Sequence, residues 1–146
     1  VRYLGLDVGD VRIGVALSDE TATLASGILT LRRAGRRRDV AAVAALVHEH
    51  GVGGVVVGLP WRLDGALGSQ GEKVEAFVRA LRRALGVPVV TWDERLTSVA
   101  ADERLAEAGV RRRDRKARID RAAAALILQE YLDAGAPAAP AVELGT

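Results

Sequence analysis

The run Tyr3-Leu4-Gly5-Leu6-Asp7-Val8-Gly9 reads as a buried β-strand that carries a carboxylate in its middle. Burying an ion without a partner costs several kcal/mol or forces it to take up a proton, so such a position calls for a cation or strong hydrogen bonds. A second apolar run, Arg12-Ile13-Gly14-Val15-Ala16-Leu17-Ser18, follows after Gly9-Asp10-Val11. So short a connection predicts a hairpin.

The rest of the chain alternates between the two periodicities. Thr23 to Leu31 reads as a third strand, and Asp39 is expected to open a helix in which Val40, Val43, Ala44 and Val47 recur at helical spacing until Gly51 ends it. His48 and His50 fall in its last turn, where a partly positive imidazole suits the helix dipole. Gly53 to Leu59 is a short continuous apolar run, as expected of a parallel strand covered on both faces, and Pro60 stops it. Beyond the glycine-rich stretch from Trp61 to Gly71, the stripe Val74, Phe77, Val78, Leu81 and Leu85 predicts a second helix capped by Gly86. Val87 to Trp92 reads as a strand, Thr97 to about Ala108 as a helix, and Arg115 to Asp133 as a last helix opened by Asp114. Three strands, helix, strand, helix, strand and helices is the RNase H-like order, an α/β class with a mixed five-stranded sheet of three antiparallel strands plus parallel strands, flanked by helices. Residues 1–134 form the expected domain, and the Ala/Pro-rich residues 135–146 read as a flexible tail.

With 146 residues the chain accommodates one domain with a real core but not two full lobes. It has no apolar run of about 18 residues for a membrane span and no opening signal segment, so a cytoplasmic location without membrane contact is expected. The absence of cysteine excludes disulfides, thiolate chemistry and cysteine-bound zinc, which leaves carboxylates, histidine and water as metal ligands. Net charge is only +2, but arginines cluster at Arg32-Arg33 with Arg36-Arg37-Arg38, and at Arg111-Arg112-Arg113 with Arg115, Lys116, Arg118 and Arg121. Such clusters suit phosphates, and nucleic acid is the commonest partner that rewards them. Solvated helix faces and a general preference for arginine over lysine give the plainer reading.

Ligands of an open parallel sheet collect at the carboxyl ends of its strands. Glu94 lies just past the carboxyl end of its strand, Asp7 faces the same end of the sheet if its strand is the parallel neighbour of Val55 to Leu59, and Asp120 shares its side of the last helix with Ala123, Ala124 and Ile127. Three acids meeting from strand, strand end and helix would form a hard-oxygen cage suited to Mg²⁺ or Mn²⁺. Two ions about 4 Å apart in such a cage activate water and stabilise the leaving oxygen of a phosphodiester without a protein nucleophile. Each acid also has a duller use, in a turn or in a pair with a nearby arginine. Asp93, beside Glu94, is a further candidate for a second ion.

The chain resembles the YqgF/RuvX family of Holliday-junction resolvase-like proteins and pre-16S rRNA nucleases from Tyr3 to about Asp133. Four segments carry the resemblance: Leu6-Asp7-Val8-Gly9 with Arg12-Ile13-Gly14-Val15-Ala16; Val57-Gly58-Leu59-Pro60 with Asp64-Gly65 and Gly68; Asp93-Glu94-Arg95-Leu96-Thr97-Ser98; and Arg115-Lys116 with Ile119-Asp120, Ala123-Ala124 and Ile127-Leu128. The resemblance implies a divalent-metal nuclease whose catalytic, metal-holding acids fall on Asp7, Glu94 and Asp120, with Arg12 and the turns at Gly58-Leu59-Pro60 and Glu94-Arg95-Leu96-Thr97 shaping the cleft. Where the family tends to carry Asn-Met-Asp-Gly, this chain has Trp61-Arg62-Leu63-Asp64-Gly65, which bears on specificity.

The expected activity is metal-dependent endonucleolytic hydrolysis of structured nucleic acid, in 5′-end processing of pre-16S rRNA or in Holliday-junction resolution. Arg12, Arg95, Arg115, Lys116 and Arg118 are the expected contacts to the phosphate backbone. A homodimer would suit symmetric cutting of branched DNA. The rivals are a non-catalytic nucleic-acid or ribosome-binding module and a fragment of an actin-like ATPase, which shares the Asp-x-Gly opening but needs a second lobe.

Overall fold

Alternation along the first strand divides the molecule into two cores. In the computed structural model, which describes residues 1–60, 62, 64–93 and 112–137, with side chains in the last segment from Arg121 onward, β1 spans Arg2–Val8. Leu4, Leu6 and Val8 project into one core, whereas Tyr3 packs against the other. β1 is antiparallel to β2 (Arg12–Ser18), which is antiparallel to β3 (Ala25–Arg32). On its other side β1 is parallel to β4 (Val52–Leu59), and β4 is parallel to β5 (Val89–Asp93). The order β3-β2-β1-β4-β5 puts β1 at the centre of the expected mixed five-stranded sheet.

Helices α1 (Arg36–His50) and α2 (Gly68–Ala84) supply the crossovers that parallel neighbours require. Val43 and Leu46 of α1 and Val74, Phe77, Val78 and Leu81 of α2 fill one core with the aliphatic side chains of β1, β2, β4 and β5. Helix α3 (Arg112–Asp133) covers the opposite face, burying Ala124, Ile127, Leu128, Tyr131 and Leu132 against Ala16, Val56 and Val90.

Several boundaries differ from those expected. β3 begins at Ala25 rather than Thr23, because Asp19 gathers the Thr21 hydroxyl and the backbone N–H groups of Thr23 and Leu24 into a turn. Those hydrogen bonds, that from Thr21 foremost, pull the exposed Asp19 carboxyl down to about 2. α1 opens at Arg36, with Gly35 at φ 104° before it, so Asp39 lies in the first turn instead of starting the helix. α2 begins at Gly68 and ends at Ala84, where Leu85 turns extended and packs on the core, so Gly86 is not its cap. α3 starts at Arg112, which puts Asp114 inside the helix and not at its cap. Gly51 closes α1 in the left-handed conformation, as predicted. The stretch read as a helix from Thr97 to Ala108 lies outside the described residues. After α3, Gly135 donates to the Leu132 carbonyl and Ala136 to that of Tyr131, folding Ala136 onto the core.

What sets the height of α3 is a row of small residues. In the ladder Gly27 faces Ala16, and Ala16 faces Gly5. A Cβ on Gly5 would stand 2.8 Å from the Leu128 Cβ and 3.1 Å from the Ala124 carbonyl oxygen, and one on Gly27 would stand 3.0 Å from the Arg121 Cβ. Helix backbone therefore rests almost on strand backbone. Beyond Gly5, Tyr3 meets Tyr131 edge-on at 5.5 Å between ring centroids, and Trp92 meets the same ring at 5.7 Å. The Tyr131 hydroxyl donates to the Pro137 carbonyl at 2.8 Å.

Two outcomes follow from this packing. Gly5→Ala is expected to lower stability by about 1–3 kcal/mol, because the backbone and Cβ it meets cannot swing aside; urea denaturation measures it. Burial, with the neighbouring Tyr3 adding to it, pushes the Tyr131 phenol up to about 12. Above pH 10 the unfolded chain therefore loses this proton first, and Tyr131's contribution is present below pH 10 and lost as pH rises toward 12. Absorbance titration of the phenolate, with Tyr131→Phe as control, and urea midpoints at pH 9 and 11 read both.

Candidate active site at the carboxyl end of the central strand

Asp7 is the penultimate residue of β1 and is half-buried. It pairs with Gly14 on β2, and one step beyond the Leu6–Val57 pair the neighbouring position on β4 is Gly58. A glycine on each side means that neither flanking strand puts a side chain beside Asp7 on its face of the sheet. The hairpin that follows is closed by the Gly9 N–H donating to the Arg12 carbonyl at 2.8 Å. Strand alternation puts Arg12 and Gly14 on the face that Asp7 shares, under α3.

The direction of α3 follows from its contacts: Tyr131 lies over Tyr3, while Ala124 and Leu128 lie over Gly5. With Arg121 over Gly27 on β3, the helix crosses the sheet obliquely from β3 to β1 and then passes from Gly5 toward Tyr3, against the direction of β1. One residue beyond Asp120, Arg121 lies against Gly27 on β3, in the cross-strand row that Gly5 shares, so the described contacts seat this turn of the helix over β3. The side chain of Asp120, like those of Arg115, Lys116 and Arg118 on the same helix, lies outside the described residues, as do Glu94, Arg95 and Trp61 entirely. β5 ends at Asp93, two strands from β1 and therefore about 10 Å away, on the residue before Glu94. Asp93 pairs with Leu59, which faces the core under α1 and α2, so its pleat turns it from the face that Asp7 occupies. Among the described residues no three His, Asp or Glu side chains come together as a metal site.

At this end Asp39, expected only to open a helix, is instead buried in an ion pair with Arg33. Asp39, only 3% exposed, accepts from Arg33 Nε at 2.7 Å and from the Ala34 N–H at 2.9 Å. Arg33 in turn donates its Nη1 to the Gly9 carbonyl at 2.7 Å and its backbone N–H to Val11 at 2.8 Å, and its guanidinium lies 5.4 Å over the Phe77 ring. Arg33 therefore ties the hairpin turn after Asp7 to the start of α1. The signal was the helical spacing of Asp39 with Val43 and Leu46, which puts an acid on the buried stripe.

This sheet, with α3 laid across β1, is the architecture of the RNase H-like resolvases. The RuvC of Thermus thermophilus, solved in complex with Holliday junction substrate, superposes with TM-score 0.59 over 93% of this chain and 96% of its own at 16% identity. The fowlpox virus resolvase, solved with substrate Holliday junction DNA, does so with TM-score 0.57 over 94% and 100% at 11% identity. A family model described as RuvX, Holliday junction resolvase, matches residues 1–134, and the chain belongs to that family. Two curated relatives carry the name "Putative pre-16S rRNA nuclease". That of Thermoanaerobacter pseudethanolicus is 47% identical over 91% of this chain and 96% of its own length. That of Syntrophus aciditrophicus is 51% identical over 92% and 89%.

Removing one partner of a buried ion pair leaves the other charge uncompensated. Asp39→Ala is expected to destabilise the fold by about 3 kcal/mol, more than Arg36→Ala on the exposed start of the same helix. Urea midpoints measure the difference.

Proposed function

We propose that the chain is a divalent-metal-dependent endonuclease that hydrolyses phosphodiester bonds of structured nucleic acid in the cytoplasm. The observation that carries this reading is the position of Asp7: a half-buried carboxylate near the carboxyl end of the central strand, with a glycine beside it on each neighbouring strand. Membership of the RuvX family and the nuclease name of its relatives support the reaction class.

The residues fit the metal. Asp7 offers hard carboxylate oxygens, and Glu94 and Asp120 would complete a donor set of the kind Mg²⁺ or Mn²⁺ prefers, for two ions. When bound, the ions supply Lewis-acid activation of water and neutralise charge developing on the phosphodiester. The chain's own part is to hold the acids at fixed separation, through the glycine-seated helix, and to draw the strand in with Arg12, Arg95, Arg115, Lys116 and Arg118. Arg12 lies on the same face as Asp7, so it meets phosphate close to the cut. Precursor 16S rRNA at its 5′ end and four-way DNA junctions are the substrates this reading names, the latter requiring a two-fold pair of chains for symmetric cuts.

Purified protein incubated with Mn²⁺ and single-stranded RNA, hairpin RNA or a four-way junction tests the proposal. Asp7→Asn and Asp120→Asn are each expected to reduce cleavage by at least about a hundredfold while binding persists, and EDTA is expected to abolish cleavage by the wild type. Cleavage unaltered in both variants would return the chain to a binding module that keeps its acids for structure.

A further inference from the structure

On the α1/α2 side of the hairpin, behind the sheet from Asp7, lies a cleft of about 260 Å³ lined by Val8, Asp10, Arg33, Arg36, Gln70, Lys73, Val74 and Phe77. Val8, Val74 and Phe77 make its floor, and the remaining groups are polar, with three cations against one carboxylate. Arg33 is held in place by Asp39 and the Gly9 carbonyl, so its guanidinium is presented without freedom to turn away. Even with Arg33 balanced by Asp39, Arg36 and Lys73 outnumber Asp10. Arg36 is exposed and makes no ion pair among the described residues, and Lys73 meets Asp10 only at 3.6 Å, with both side chains 66% exposed. Such a pair is weak in water, so Lys73 is available to a stronger anion. Gln70 approaches the Val8 carbonyl at 3.5 Å and offers an amide donor to the same space. A fixed guanidinium beside two mobile cations and an amide is a donor set for phosphate.

We propose that this cleft binds a phosphate group of the nucleic-acid strand at a distance from the scissile bond. The step from Asp7 to Asp10 is three residues round a tight turn, at most about 11 Å, so a strand held at Asp7 and draped over the hairpin brings another of its phosphates to Arg36 and Lys73. The inference rests on the nuclease reading for the identity of the strand; the anion chemistry of the cleft stands on its residues.

The test is binding of hairpin RNA and a four-way junction in EDTA, across a salt series, by wild type, by the double variant Arg36→Ala/Lys73→Ala, and by a control with the same charge loss, Arg79→Ala/Arg83→Ala, farther along α2. Both lost cleft side chains are exposed, so the fold tolerates the change. The cleft variant is expected to bind several-fold more weakly than the control, and the slope of log K against log salt to become shallower by about one, as for a lost phosphate contact. Affinity and slope equal to the control, in a protein that still cleaves, would overturn the proposal. Titration with inorganic phosphate separates the two sources of the anion: saturable binding lost in the cleft variant, with nucleic-acid binding unaltered, makes this a site for free phosphate and overturns the strand contact. If the wild type neither binds nor cuts nucleic acid, the nuclease reading fails, and the phosphate titration alone decides whether the cleft takes an anion.

Discussion

The contact on which the arrangement depends is backbone against backbone, where α3 lies on the row Gly27, Ala16 and Gly5. Most helices pack on sheets through interlocking side chains, and a methylene more or less is accommodated by a rotamer change. Here the separation is set by two glycines and an alanine on three successive strands. That fixes the height of α3 over the sheet with little slack. The price of such closeness is a surface with little apolar area per residue, and the aromatic trio Tyr3, Trp92 and Tyr131 compensates for it. Burying large rings beside a seam of glycine and alanine restores hydrophobic stabilisation where the seam supplies little.

The carboxyl end of the sheet is braced from the other side. The β1–β2 turn follows Asp7 directly and is held by carbonyl contacts to Arg33, which Asp39 fixes against the start of α1 and Phe77 supports from below. An exposed hairpin tip is ordinarily among the first parts of a sheet to loosen. In this chain it is fastened to the layer beneath by a nearly buried ion pair, so the residues on either side of the turn, Asp7 and Arg12, share one rigid support.

Much of this was legible before any coordinates, and for identifiable reasons. The strands are short apolar runs bounded by glycine, and the stripes of α1 and α2 recur at helical spacing, so element type and order could be read from Val43, Val74, Phe77 and Leu81. The hairpin at Gly9-Asp10-Val11 was equally plain. Element ends were read less well, because they depend on hydrogen bonds between side chain and backbone that periodicity does not register: Asp19 gathering Thr23 and Leu24, and Asp39 reaching back to Ala34. The Asp39–Arg33 pair was missed because an acid early in a helix resembles a cap, and only its register with Val43 and Leu46 betrays burial. Asp7 stood out because nothing in a solvated turn explains a carboxylate inside Leu6-Asp7-Val8; Asp93, adjacent in sequence to a candidate ligand, is turned away by one pleat.

The two cores differ in how they absorb change, and this bears on how such a molecule drifts. Beneath α1 and α2 the filling is valine, leucine and phenylalanine, whose volume can be redistributed among neighbours with modest loss. Along the seam of Gly27, Ala16 and Gly5 beneath α3 there is little volume to redistribute, since helix and strand backbones nearly touch there. Neutral substitution can therefore wander through one half of the interior while the other stays close to its starting composition, and a newly evolved specificity would find its raw material on the tolerant side.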